Sequence, residues 1–153
     1  MKRFLLCSIL AAGPLVHAQS AAPAAKAGNL AAPAALLASG VYDWTKMTVT
    51  PTATGERRAV FDAPTSTVDR VHCHITTLNP GKSFSDPVLH LQEEIIIVKE
   101  GTVEASVDGR LLTAGPGSIF YLAAHAVTRM RNVGDVPATY FVVSYYTPLT
   151  PKK

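Results

Sequence analysis

The sequence predicts an all-β domain, a sandwich or barrel, over residues 40–147. Short runs of branched and aromatic residues succeed one another, separated by turn signals, as the strands of such folds do. The run Thr102–Val107 alternates polar and apolar residues and then meets Asp108-Gly109, a two-residue hairpin signal. No stretch of this region carries a convincing helical period, and no internal repeat recurs at a fixed spacing. Composition agrees. Of 153 residues, 48% are apolar and 16% charged, a globular balance with enough chain for one core.

The chain ahead of residue 40 reads differently. Met1-Lys2-Arg3 is a short positive start, Phe4 to Val16 is mostly apolar, and Val16-His17-Ala18 sets small residues where a signal peptidase reads. Residues 1–18 are therefore expected to be a secretory signal peptide, with an uncleaved anchor as the alternative. The apolar run falls short of the roughly 20 residues a membrane span needs. Residues 19–39, rich in Ala and Pro, read as a linker ending in one helical turn near Ala34–Ala38. The expected product is exported, periplasmic or secreted, with no membrane partner once the leader is cleaved. Without Lys2 and Arg3 the charge is nearly balanced, 12 basic against 11 acidic residues, and no basic cluster points to nucleic acid. Cys7 lies in the leader, so Cys73 stays alone and reads as a small core residue.

Val41 to Thr50 reads as an edge strand stopped by Pro51, and Thr52 to Arg58 as a polar loop. Arg58–Asp62 and Val68–Leu78 are strands. The second carries His72 and His74 on one face, read as ordinary structural or exposed histidines, with His74 nearer the turn that follows. Asn79-Pro80-Gly81 turns the chain towards the stretch Val88–Gly101, read as one inner strand with Val88, His90, Glu94, Ile96 and Val98 on its inner face. A buried imidazole and carboxylate need partners, and either a metal ion or a hydrogen-bond network supplies them. Arg110–Thr113 and Ser118–Leu122 are further strands. Tyr140–Tyr146 is apolar on both faces and so is expected to be central or covered by a second subunit. Residues 148–153 read as a tail.

The spacing His90-x3-Glu94-x6-Gly101 resembles the second half of the first cupin motif, in which His-x-His precedes the glutamate. The wider resemblance, from Val41 to Thr147, is to small exported single-domain cupins. It implies a cupin-type double-stranded β-helix, a jelly-roll barrel, and a homodimer in which Tyr140–Tyr146 takes part. The usual cupin metal site joins three histidines and a glutamate, a set that suits Mn, Fe, Ni, Cu or Zn. Aligned on it, Val88 takes the place of the first histidine. Thr128, counted back from Asn132 in a second motif that Gly134 and Asp135 complete, takes the place of the last. His90 and Glu94 remain as candidate metal ligands, and His125 could join them from its loop, while Glu93 falls on the opposite face. Two ligands are too few for a tight site, since even catalytic zinc normally has three. A divalent Mn, Fe or Zn ion is therefore the weaker expectation.

Three functions from different classes follow from the resemblance. The first, preferred here, is a binding module whose barrel holds a small molecule through His90, Glu94 and Thr128 without redox chemistry. The second is an enzyme: a metal-dependent dioxygenase, isomerase or decarboxylase with a non-standard ligand set, or a metal-free protein using His90 as a general base. The third is a degenerate structural cupin. An open pocket lined by His90 and Glu94 would favour the first over the third, and a cavity filled by apolar side chains the reverse.

Overall fold

The apolar run near the C-terminus forms a nine-residue inner strand of the larger sheet. A computed structural model of the chain describes residues 34–152. In order, the strands are β1 (Val49–Thr52), β2 (Gly55–Ala63), β3 (Arg70–Leu78), β4 (Val88–Leu89), β5 (Glu93–Glu100), β6 (Val103–Val107), β7 (Arg110–Ala114), β8 (Ile119–Leu122), β9 (Val127–Asn132) and β10 (Ala138–Tyr146). They form a six-stranded sheet, β1-β2-β3-β10-β5-β8, and a four-stranded sheet, β4-β9-β6-β7, every pair antiparallel. This is the jelly-roll barrel expected from the sequence. β10 lies between β3 and β5, so its neighbours in the same sheet account for its apolar character. The expected signal peptide and residues 19–33 of the expected linker lie outside the described residues.

Alternation places the core. In β5, Glu94, Ile96 and Val98 are buried while Glu93 and Ile97 are exposed. In β6, Val103 and Ala105 are fully buried and Val107 packs at the edge of the cluster. Asp108 and Gly109 both have positive φ, 47° and 78°, the type I′ geometry that joins β6 and β7 with the right twist. Asp108 also accepts from the Val127 amide at 3.0 Å, tying the hairpin to β9. Gly101, with φ 75°, closes β5 against Ala138; a Cβ there would lie 2.6 Å from the Ala138 Cα, so the close approach admits no side chain.

Five local expectations are corrected. The stretch Val88–Gly101 is not one strand. Val88 and Leu89 belong to the smaller sheet, His90 to Gln92 cross over, and β5 belongs to the larger sheet. The crossing is pinned by the His90 amide donating to Ala126 O (2.9 Å) and the His125 amide donating to His90 O (2.6 Å). Val41–Thr50 is not a strand throughout: Asp43 caps a 3₁₀ turn at Trp44–Lys46, accepting from the Thr45 amide at 2.9 Å. Pro51 does not stop β1 but lies within it, which an edge strand tolerates because one side of its backbone is unpaired. The expected loop Thr52–Arg58 is the turn of the β1–β2 hairpin and the start of its second strand, with Thr52 opposite Gly55. Finally, Ala34–Ala38 form no helical turn; the Leu37 amide instead donates to Pro64 O at 2.8 Å. No helix of the described residues is long and apolar enough to cross a membrane.

Candidate functional site

The inner face of the larger sheet sets the polar residues of the barrel. The register aligns Ser144 of β10 with Glu94 of β5 on one side and His72 of β3 on the other, and Val142 with Ile96 and His74. Side chains at these positions share one face, because pairing across strands keeps the pleat in phase. His90 reaches the same space from the crossover.

Glu94 is the hub. It is buried, 5% exposed. Its Oε2 lies 3.1 Å from His90 Nδ1, and its Oε1 accepts from Ser144 Oγ (2.7 Å) and Gln92 Nε2 (2.9 Å). Burial pushes the carboxyl pKa up, but the hydrogen bonds from His90, Ser144 and Gln92 outweigh it and hold the group below its ordinary value. The carboxylate is thus ionised and satisfied. A carboxylate only accepts, so His90 carries its proton on Nδ1 and leaves Nε2 free.

A second chain of polar groups runs along β2 and β3. Arg57 Nη2 lies 3.3 Å from His72 Nε2 and can only donate, so that nitrogen is an acceptor. His74 Nδ1 lies 3.1 Å from the same atom and must donate to it. The His72 proton is then on Nδ1, 3.4 Å from Asp62 Oδ2 and outside hydrogen-bond geometry. Asp62 also takes two bonds from Arg70. His74 is left with a bare Nε2 lone pair. Burial, with Arg57 and His72 adding to it, lowers its pKa to about 4, so it is neutral near pH 7.

Two adjoining cavities open on these groups. The outer one, about 530 Å³, is lined by His72, His74, His90, Gln92, Glu94 and Ser144, with Arg70 and Lys152 at its polar wall. Thr147, Thr150, Pro151 and Lys152, most of them read as a featureless tail, complete that wall. The inner one, about 110 Å³, shares His74, Val88, His90 and Glu94 with the outer and continues past Ile96, Thr128, Met130 and Tyr140. The Tyr140 hydroxyl lies beside Thr76, and burial raises its pKa.

Of the candidate residues named from sequence, His90, Glu94 and Thr128 all line the inner cavity, and the first two also line the outer. Val88 and Thr128, at the two substituted motif positions, face each other across β4 and β9. His125 is exposed on a turn with φ 69° and lines neither cavity, and Glu93 is exposed on the opposite face. His72 and His74, read from sequence as ordinary structural or exposed histidines, line the outer cavity, and Arg57, Ser144 and Gln92, which sequence reasoning did not single out, contact His72 and Glu94. The signal for the histidines was their two-residue spacing, which placed both on one strand face.

The residues present do not form a metal ligand set. Val88 has no donor atom, both Glu94 oxygens are engaged, and among the described residues no three His, Cys, Asp or Glu side chains are grouped to hold an ion.

The fold and site thus define a jelly-roll barrel with a polar interior cavity. The family model for the cupin domain matches residues 74–144, which run from β3 into β10. Solved structures agree. An RmlC-like cupin from Shewanella frigidimarina superposes with a TM-score of 0.60 at 12% identity, covering 72% of this chain and 94% of that one. A cupin-superfamily sugar phosphate isomerase from Silicibacter pomeroyi gives 0.56 at 21% identity, covering 71% and 77%. A polyketide cyclase from Streptomyces resistomycificus gives 0.57 at 19% identity, covering 71% and 80%. At these identities the likeness is one of fold. A search of curated proteins finds no match.

Proposed function

We propose that this protein is an exported cupin that binds a small molecule in its barrel without redox chemistry. The observation that carries the reading is the outer cavity, about 530 Å³, on which Glu94, His90 and the free lone pair of His74 converge. Its size falls within the roughly 300–1,000 Å³ typical of ligand pockets. A degenerate barrel would be expected to fill this space with apolar side chains. Export rests on the three-part leader, and a homodimer on the outer face of the larger sheet. There Ile119 and Tyr121 of the edge strand are 65% and 63% exposed and pair with Ile97 and Ile95.

A second reading is favoured by the Asp62–His72–His74 chain. A neutral imidazole with a bare nitrogen facing a cavity can accept a proton, as a weak base given its lowered pKa, and His72 fixes its tautomer. On this reading His74, rather than His90, takes the proton, and the reaction is a metal-free proton transfer.

Both readings are tested by a thermal-shift screen of a metabolite library on protein starting at Gln19. The expected result is a compound that raises the melting temperature of the wild type and loses that effect in Glu94→Gln. Hits that shift Glu94→Gln equally would overturn the assignment of the barrel as the site. Turnover of a hit by wild type, lost in His74→Asn, would select the second reading.

A further inference from the structure

We propose that the inner cavity is a subsite for an oxygen-bearing aliphatic group, an alcohol or ketone of about four carbons, held by the hydroxyl of Thr128. The inference rests on the barrel being a small-molecule site and names the chemistry of the ligand's buried end.

Thr128 is 4% exposed, and its Oγ1 is buried without a hydrogen-bond partner. The walls around it are largely apolar: Phe84, Val88, Ile96, Met130 and Val142. A hydroxyl enclosed without a partner destabilises the fold. Valine has the same branched shape and suits a strand equally well, so packing does not call for the hydroxyl. It is accounted for if something that enters the cavity completes its hydrogen bond.

Size sets the class. A dry apolar cavity of about 150 Å³ holds benzene. This one, about 110 Å³, is smaller and suits a short aliphatic fragment. The Thr128 hydroxyl can donate to a ketone, or donate to and accept from an alcohol, so one oxygen on that fragment is the matching chemistry. Because the inner cavity shares His74, Val88, His90 and Glu94 with the outer one, the rest of the ligand would extend among the imidazoles and Gln92.

The test uses methyl-labelled protein and two probes, 2-butanone and 2-butanol, with 2-methylbutane as an apolar control. At least one oxygenated probe should shift the methyl signals of Ile96, Met130 and Val142 at millimolar concentration, and bind at least fivefold more tightly than the control. Thr128→Val should weaken that probe tenfold or more while raising the melting temperature of the free protein by a few degrees. Thr128→Ser should stay within threefold of wild type. Equal binding of the hydrocarbon, or unchanged affinity in Thr128→Val, would overturn the proposal. So would the absence of any methyl shift, which would leave water as the occupant. These wild-type titrations remain decisive if a variant fails to fold. Metabolite hits that move Gln92 and Ser144 while neither oxygenated probe enters would sink the subsite and leave the barrel reading standing.

Discussion

Acid should weaken the fold through His74. In the unfolded chain its imidazole titrates near 6.5; in the barrel its pKa is lowered to about 4. Between these values the unfolded state binds more protons, so stability falls as the pH drops through this window. A shift of this size is worth about 3 kcal/mol once the pH is below both values, and about 2 kcal/mol of it is already lost by pH 5. Glu94 and Asp62 add little between pH 7.5 and 5.0, the range assayed. Their pKa values are lowered from 4.5 and 3.8, so the stability they contribute is lost only at more acidic pH. The assay is urea unfolding at pH 7.5, 6.5, 5.5 and 5.0, followed by the fluorescence of Trp44, the single tryptophan. Its ring lies between Arg58 and Lys99, each 4.5 Å from the ring centroid, and should report loss of the tertiary fold. His74→Asn keeps a donor for His72 Nε2 and removes the titration. Subtracting the variant from the wild type cancels the other groups, and the difference should grow by about 2 kcal/mol between pH 7.5 and 5. Parallel curves for the two proteins would refute the buried neutral His74 and the Asp62–His72–His74 chain with it.

Other outcomes follow from the same geometry. Asn132 is fully buried, donates to Leu78 O and Val136 O at 2.9 and 2.7 Å, and accepts from the Gly134 amide at 2.9 Å. Asn132→Ala should therefore cost about 3 kcal/mol and lower the melting temperature by about 10 °C in a calorimeter. Light scattering at micromolar concentration should give twice the chain mass for the mature wild type and the single mass for Ile119→Lys with Tyr121→Asp; a monomeric wild type would remove the dimer. Val88→His with Thr128→His places two imidazoles on facing positions beside His90 and Glu94. That double variant should bind close to one metal ion per chain by plasma mass spectrometry. If it folds and takes up none, the alignment of both motifs is wrong.

Periodicity carried most of the fold. The alternation in Glu93–Glu100 and Val103–Val107, the Asp108-Gly109 turn and the doubly apolar Tyr140–Tyr146 all reappear in their expected local forms. What was not legible depended on which sheet a residue joins. His90 and Glu94 share a cavity although the crossover at His90–Gln92 interrupts the strand between them. Glu94 meets Ser144, fifty residues away, through a cross-strand register that no local pattern reveals. His72 and His74 looked ordinary because their partners, Asp62 and Arg57, lie on a separate strand. The 3₁₀ turn at Trp44 was hidden by branched neighbours of high strand propensity, and the Asp43 cap decided it.

The central claim is that the barrel interior holds a small molecule against Glu94, His90 and His74. Amide and side-chain NMR of the mature protein, titrated with the strongest hit of the metabolite screen, tests it most directly. The account predicts shifts concentrated at His74, His90, Gln92 and Ser144, lost in Glu94→Gln. Shifts confined to the outer face, at Ile97, Ile119 and Tyr121, with the cavity signals unmoved, would contradict it.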